Sequence, residues 1–230
     1  MAEVVLALDL PSGQEALRML ERLPVTPWVK LGSILMTREG APLVRTLITR
    51  GHRVFLDLKW HDIPNTVAGA VRAARELGVS MATVHALGGR TMMEAAAEAA
   101  GGELELVAVT VLTSHDSSSY ARALGRDDVS LVDEASRQAS EAAGAGLSGV
   151  VCSPAEIESV RRVLPDHARV VVPGIRSEAD TAGDQVRVAT AAAAASAGAT
   201  HLVVGRPVLQ AADPAAALAR LQREALCAPS

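Results

Sequence analysis

Hydrophobic positions in this chain fall into eight short, nearly continuous runs, each followed by a longer stretch whose apolar residues recur with helical spacing. Residues 3–9 read as a buried strand. After Pro11-Ser12-Gly13, the segment 14–23 sets Ala16, Leu17, Leu20 and Leu23 on one helical face. Residues 28–32 form a second strand ending at Gly32, and 37–50 its helix, with Leu43, Val44, Leu47 and Ile48 turned inward. The third strand, 54–59, leads to a helix over 66–77 that Gly78 closes with a left-handed cap. Further pairs follow at 81–86 with 92–100, and at 104–110 with 129–143 across a polar loop over 113–128. The last three pairs are 149–152 with 154–163, 169–173 with 188–197, and 200–205 with 214–225. Strands this apolar belong to a parallel sheet covered by helices. Eight such units in 230 residues predict an α/β fold, a closed (β/α)8 barrel forming one domain over residues 1–230. An open doubly wound sheet is the structural alternative. It requires a G-x-G-x-x-G turn after the first strand, where this chain has Asp9-Leu10-Pro11-Ser12-Gly13.

Composition narrows the function classes without choosing one. A hydrophobic content of 49% fills a core of this size, and with aromatics at 2% that core rests on Val, Leu, Ile and Ala. The net charge of −4, without a Lys/Arg cluster, gives no footprint for nucleic acid or a membrane surface, and leaves room for a small anion held locally. The first residues lack a basic region and meet Asp9 too early for a signal peptide. No apolar run approaches the ~20 residues of a membrane-spanning helix, so a cytoplasmic protein is expected. Cys152 and Cys227 lie far apart without C-x-x-C or a His partner, which supports neither a disulfide framework nor a structural zinc site. The six histidines show no zinc-ligand spacing. His85 and His201, inside strand patterns, read as core or rim imidazoles, and Ser117-Ser118-Ser119 as loop solvation.

The third strand changes the picture, because it ends in charge. A side-chain period of two puts Phe55, Asp57 and Lys59 on one face, and a second acid, Asp62, follows three residues after the lysine. Pro64-Asn65-Thr66 then opens a helix. Taken alone, these residues fit a solvated salt bridge at a sheet rim as well as a site. The barrel tips the balance, since such folds carry their active sites at the C-terminal ends of the strands. Asp9 closes the first strand, Lys30 the second, and Asp57 with Lys59 the third, so four charges of alternating sign converge on one side of the mouth. Each opposite pair is worth about 4 kcal/mol at 4 Å and an effective dielectric near 20, enough to fix the ammonium groups in place. Across the mouth, Pro173-Gly174-Ile175-Arg176 with Gln185 follows the seventh strand and Gly205-Arg206 the eighth. Those two loops are the recurring phosphate cradle of this fold, and arginine adds bidentate oxyanion recognition.

Together these residues resemble the orotidine 5′-phosphate decarboxylase family over essentially the whole chain. The most specific piece is Asp57-x-Lys59-x-His61-Asp62-Ile63-Pro64-Asn65-Thr66. It is supported by Leu8-Asp9, Val29-Lys30-Leu31-Gly32, Val84-His85-Ala86, Leu112-Thr113-Ser114, Pro173 to Arg176, Asp184-Gln185 and Val204-Gly205-Arg206. No departure falls on a position that the family uses, and Trp60 takes a variable position expected to face away from the cavity. The resemblance implies decarboxylation of orotidine 5′-monophosphate without a cofactor or metal, in a homodimer with shared active sites. It gives Asp9 and Lys30 the ribose hydroxyls, and Asp57, Lys59 and Asp62 the charged array against the substrate carboxylate. Asp62 and Thr66 are then expected to act in the partner's site, Thr113 at the pyrimidine edge, and Arg176, Gln185, Gly205 and Arg206 on the phosphate.

Three rivals stay open on the residues. A magnesium-dependent phosphosugar lyase, such as a 3-keto-L-gulonate 6-phosphate decarboxylase or a hexulose-6-phosphate synthase, shares the Asp-x-Lys-x-x-Asp strand end. The Ile63-Pro64-Asn65-Thr66 continuation and the loop at Arg176 favour the pyrimidine enzyme. A Schiff-base aldolase needs an uncharged lysine, which flanking carboxylates oppose. A barrel that merely binds a phosphorylated nucleotide leaves the Asp57 and Lys59 array without a purpose.

Overall fold

The computed structural model of the chain describes residues 1–23, 28–176 and 188–226. Its strands are β1 (Glu3–Ala7), β2 (Trp28–Gly32), β3 (Arg53–Trp60), β4 (Met81–His85), β5 (Glu105–Val109), β6 (Gly149–Val151), β7 (Arg169–Val172) and β8 (His201–Val204). Each pairs in parallel with the next, and β8 returns to β1, with Val4 opposite Leu202 and Leu6 opposite Val204. The closed (β/α)8 barrel expected from the eight apolar runs is therefore the fold, and the open sheet is not.

Why the strands lack polar alternation follows from where their two faces go. Val5, Ala7, Trp28, Phe55, Met81, Val107, Val171 and Val203 fill the barrel's interior as one apolar cluster. Their neighbours, among them Leu6, Val29, Leu31, Leu56 and Val204, pack outward against helices in a second and larger cluster. Both faces are dry, so both are written in Val, Leu and Ala. At the N-terminal end the barrel is closed by side chains at or near the first residues of its strands. The Trp28 indole N–H donates to Glu3, the Arg53 guanidinium lies 4.5 Å from the Trp28 ring centre, and Arg169 bonds Glu105 at 2.6 Å. His201 meets the Trp28 ring edge-on at 5.3 Å, and burial pushes its imidazole down to about 4.

The helices depart from the expected pattern in places. Helix α1 (Gly13–Glu21) is capped by the Ser12 hydroxyl, and α2 (Ser33–Thr49) begins earlier than predicted and breaks at Gly40, whose φ of 61° no helix accommodates. Helix α3 (Pro64–Glu76) starts on proline as its sequence signal indicated, and Gly78 takes the left-handed conformation after it. Helix α4 (Arg90–Ala100) follows a short 3-10 turn over Ala86–Gly88. The polar loop after β5 holds a helix that was not anticipated, α5 (Ser117–Ala123). Asp116 caps its N-terminus in a reciprocal box with Ser119, so the serines read as loop solvation form a helical first turn. Helix α6 (Leu131–Gly144) packs on it through Gln138, whose side-chain N–H donates to the Tyr120 hydroxyl at 2.8 Å. The expected 154–163 helix resolves into a 3-10 turn and α7 (Ile157–Arg161). Helix α8 (Ala191–Ser196) is followed, after β8, by a second unforeseen element, α9 (Arg206–Leu209), and then by α10 (Pro214–Leu226).

Candidate active site

At the C-terminal mouth lies a cavity of about 650 Å³. Asp9, Lys30, Asp57 and Lys59 line one side, Arg176, Gly205 and Arg206 line the loops after β7 and β8, and apolar side chains including Phe55, Val109 and Val203 lie in its lining. Thr113, on the loop after β5, also lines it. Eight of the eleven predicted site residues thus meet in one space. Asp62 and Thr66 do not: both are exposed at the start of α3, outside this chain's own cavity, and the Asp62 carboxylate accepts the Ile63 N–H at 2.6 Å. Gln185 lies outside the described residues.

The four charges form a continuous line. Lys30 Nζ lies 3.2 Å from Asp9 Oδ1 and 3.4 Å from Asp57 Oδ2, and Lys59 Nζ lies 2.8 Å from Asp57 Oδ1. Register makes this possible, because Ala7 faces Lys30 across β1 and β2 while Gly32 faces Asp57 across β2 and β3. Gly32 also leaves the room, since a Cβ there would sit 3.3 Å from Lys30 Nζ. Exposure grades along the line: the Lys30 and Asp57 side chains are 10% and 15% exposed, Lys59 and Asp9 39% and 54%. Burial by itself would lift the Asp57 carboxyl, but the ammonium groups of Lys30 and Lys59 hold it below the usual carboxylate range. Burial likewise opposes the Lys30 charge, and Asp57 with Asp9 more than offsets it, leaving its pKa raised. The inner pair therefore stays ionised, and the outer pair is free to meet a ligand.

The end of β3 is not a regular strand. The five residues from Leu56 to Trp60 run against only three of β4, from Ala82 to Val84. Within this bulge Lys59 has φ of 51°, the one non-glycine residue with positive φ among the described residues. Leu58 and Trp60 pack on the outer core while Lys59 between them enters the cavity, so Trp60 faces away as expected. Two features of this region escaped the sequence reading. Thr83, fully buried on β4, accepts the Lys59 backbone N–H at 2.7 Å, and its hydroxyl lies 3.2 Å from Asp57 Oδ1. His61 and His85 stack with ring centres 5.5 Å apart, and burial, with His61 and Lys59 nearby, pushes His85 down to about 4. The His85 Nδ1 accepts the Leu87 N–H, leaving the proton of the neutral ring on Nε2. The sequence shows Thr83 as a polar residue between Met81 and His85 on the inward face of an apolar strand, which marks the residue but not its partners.

Across the mouth the base of the loop after β7 is pinned to the chain before α8. The Arg176 N–H donates to the Ala189 carbonyl at 2.9 Å, and the Ala189 N–H to the Gly174 carbonyl at 3.3 Å. Arg176 is thereby held with its side chain largely buried beside the cavity.

Comparison with known proteins agrees over the length of this barrel. The family described as Orotidine 5'-phosphate decarboxylase / HUMPS matches residues 2–221. The orotidine 5′-phosphate decarboxylase of Halorhodospira halophila is 48% identical over 229 residues, covering 96% of this chain and 94% of that protein. The corresponding protein of Alkalilimnicola ehrlichii is 51% identical over 229 residues, covering 97% and 96%. A crystal structure of orotidine 5′-phosphate decarboxylase from Lactobacillus acidophilus superposes with a TM-score of 0.86 at 33% identity, covering 98% of this chain and 99% of that one. With the match running from β1 into α10, the chain belongs to the orotidine 5′-phosphate decarboxylase / HUMPS family.

Proposed function

We propose that this chain decarboxylates orotidine 5′-monophosphate to uridine 5′-monophosphate, the last step of de novo pyrimidine synthesis, as a cytoplasmic homodimer and without a cofactor. The observation that carries this reading is the Asp9, Lys30, Asp57, Lys59 line facing two arginines across a cavity of about 650 Å³. The names of the relatives support it.

Decarboxylation breaks the bond between the pyrimidine ring carbon and its carboxylate. Carbon dioxide leaves, the electron pair stays on the ring carbon, and no adjacent carbonyl can absorb it. Lys59 stabilises that carbanion by its charge and then transfers a proton from Nζ to the carbon, leaving an amine that solvent reprotonates. The bond to Asp57 at 2.8 Å fixes the ammonium before substrate arrives, so little reorganisation is left for the reaction. Asp57, held ionised, lies where the substrate carboxylate must pass, which favours its departure. Asp9 and Lys30 take the ribose hydroxyls, and Thr113 takes the pyrimidine edge. Arg176, Gly205 and Arg206, with Gln185, take the phosphate, whose binding energy is available to close the loops over the site and exclude water.

Asp62 and Thr66 are assigned to a second copy of the chain. They stand outside their own cavity beyond the exit of β3, on either side of exposed Ile63 in sequence, and the neighbouring strand β4 exits into exposed Leu87. An apolar surface bearing one carboxylate and one hydroxyl suits an interface that completes another site.

The test is the ultraviolet absorbance change on mixing the protein with orotidine 5′-monophosphate in EDTA. Full turnover is expected. Turnover restored only by magnesium points instead to the metal-dependent phosphosugar lyases.

A further inference from the structure

We infer that Thr83 is a positioning residue for the decarboxylation, holding Lys59 in its left-handed backbone conformation and locking the Asp57 carboxylate against the Lys59 ammonium. This rests on the reading of Lys59 as the proton donor.

The bulge at the end of β3 takes the Lys59 N–H out of the ladder with β4. A buried N–H without an acceptor is costly, and a side-chain-bearing residue at φ of 51° is disfavoured besides. Both conditions are met by one atom. Thr83 Oγ1 accepts that N–H at 2.7 Å, and the threonine itself is fully buried. An amide can only donate and an ionised carboxylate can only accept, so the single hydroxyl proton has one destination, Asp57 Oδ1 at 3.2 Å. Asp57 Oδ1 also accepts from Lys59 Nζ at 2.8 Å. The result is a closed ring: Lys59 backbone to Thr83, Thr83 to Asp57, and Asp57 back to the Lys59 side chain. Because one hydroxyl joins the backbone and the tip of the same lysine, the conformation of the bulge and the aim of the ammonium are set together. Thr83 touches no substrate in this arrangement, since it is absent from the cavity lining.

The experiment compares Thr83→Val, Thr83→Ala and Thr83→Ser in the decarboxylation assay. Val keeps the shape and removes the hydroxyl, Ser keeps the hydroxyl, and Ala substitutes for Val should Val fail to fold. In Val and Ala, kcat is expected to fall on the order of 100-fold, the scale of a misplaced reacting group, while KM changes little because the phosphate grip lies across the mouth. Ser is expected to restore kcat to near the wild-type value. Wild-type kcat in Val or Ala, or a loss in Ser as large as theirs, would overturn the inference. A crystal structure of the folded non-hydroxyl variant tests it without substrate. Lys59 should leave the left-handed region or Nζ should part from Asp57, and retention of both sinks the assignment. A wild-type chain that does not act on orotidine 5′-monophosphate overturns the reading of the site alone, and the crystallographic result then decides on Thr83.

Discussion

Exposure along the charged line divides the work among its members. Lys30 and Asp57 are the buried inner pair, ionised by one another, and Lys59 is the more exposed of the two lysines that line the cavity. On the proposed mechanism, Lys59→Ala is expected to lower kcat by on the order of 10⁴-fold or more, since one substitution would remove both the charge that meets the carbanion and the proton it needs. Binding of uridine 5′-monophosphate, measured by titration calorimetry, should survive, because the contacts proposed for its ribose and phosphate lie elsewhere in the cavity. Near-normal turnover would remove Lys59 from the mechanism. Arg206→Ala makes the opposite prediction. KM for the phosphorylated substrate should rise roughly 10- to 100-fold, the worth of a charge-assisted hydrogen bond, while slow turnover of the phosphate-free nucleoside stays unchanged. Equal losses on the two substrates would count against the phosphate cradle. Asp9, Lys30, Asp57 and Lys59 were legible because strand period and barrel closure place them, and both are properties of spacing. Thr83, and the stack of His61 on His85, were not, because each joins one strand exit to the next and depends on a register that a bulge has shifted.

At the level of elements, the sequence was clearest where both faces of a segment are buried. All eight strands were found, since nothing polar is tolerated along most of their length. Elements organised by short local bonds were missed. Helix α5 depends on the reciprocal bonds of Asp116 and Ser119 within a polar stretch, and α2 is broken at Gly40 without a change in its hydrophobic spacing. The barrel's N-terminal closure makes a prediction of its own. His201 is packed on Trp28, and burial holds its pKa at about 4 against an ordinary 6.5. The folded state thus favours the neutral ring, so this stabilisation is complete above pH 6.5 and is lost as pH falls toward 4. Its size is on the order of 3 kcal/mol, from 1.36 kcal/mol per pKa unit. In urea unfolding, His201→Gln should lose less stability than wild type between pH 7.5 and pH 4.5. Parallel losses in the two proteins would show that His201 does not titrate on unfolding.

For the molecule as a whole, the decisive feature is that residues 57 to 66 point two ways. Asp57 and Lys59 enter this chain's cavity, while Asp62 and Thr66, only a few residues further on, stand outside it. If the second group completes the site of a partner in a symmetric dimer, each active site is built from two chains, and each chain serves two sites. Two inactive variants then repair each other. Asp62→Ala alone leaves every site without its partner acid, and Lys59→Ala alone leaves every site without its proton donor. In a mixed dimer, one site receives both defects and the other receives neither. Random reassortment makes half of the dimers mixed, so equal mixing should recover about a quarter of wild-type activity per site. The recovered activity should need time or mild denaturant to appear, since chains must exchange. A site made within one chain predicts a different result: the mixture never exceeds the average of its two components, however long it is left to exchange.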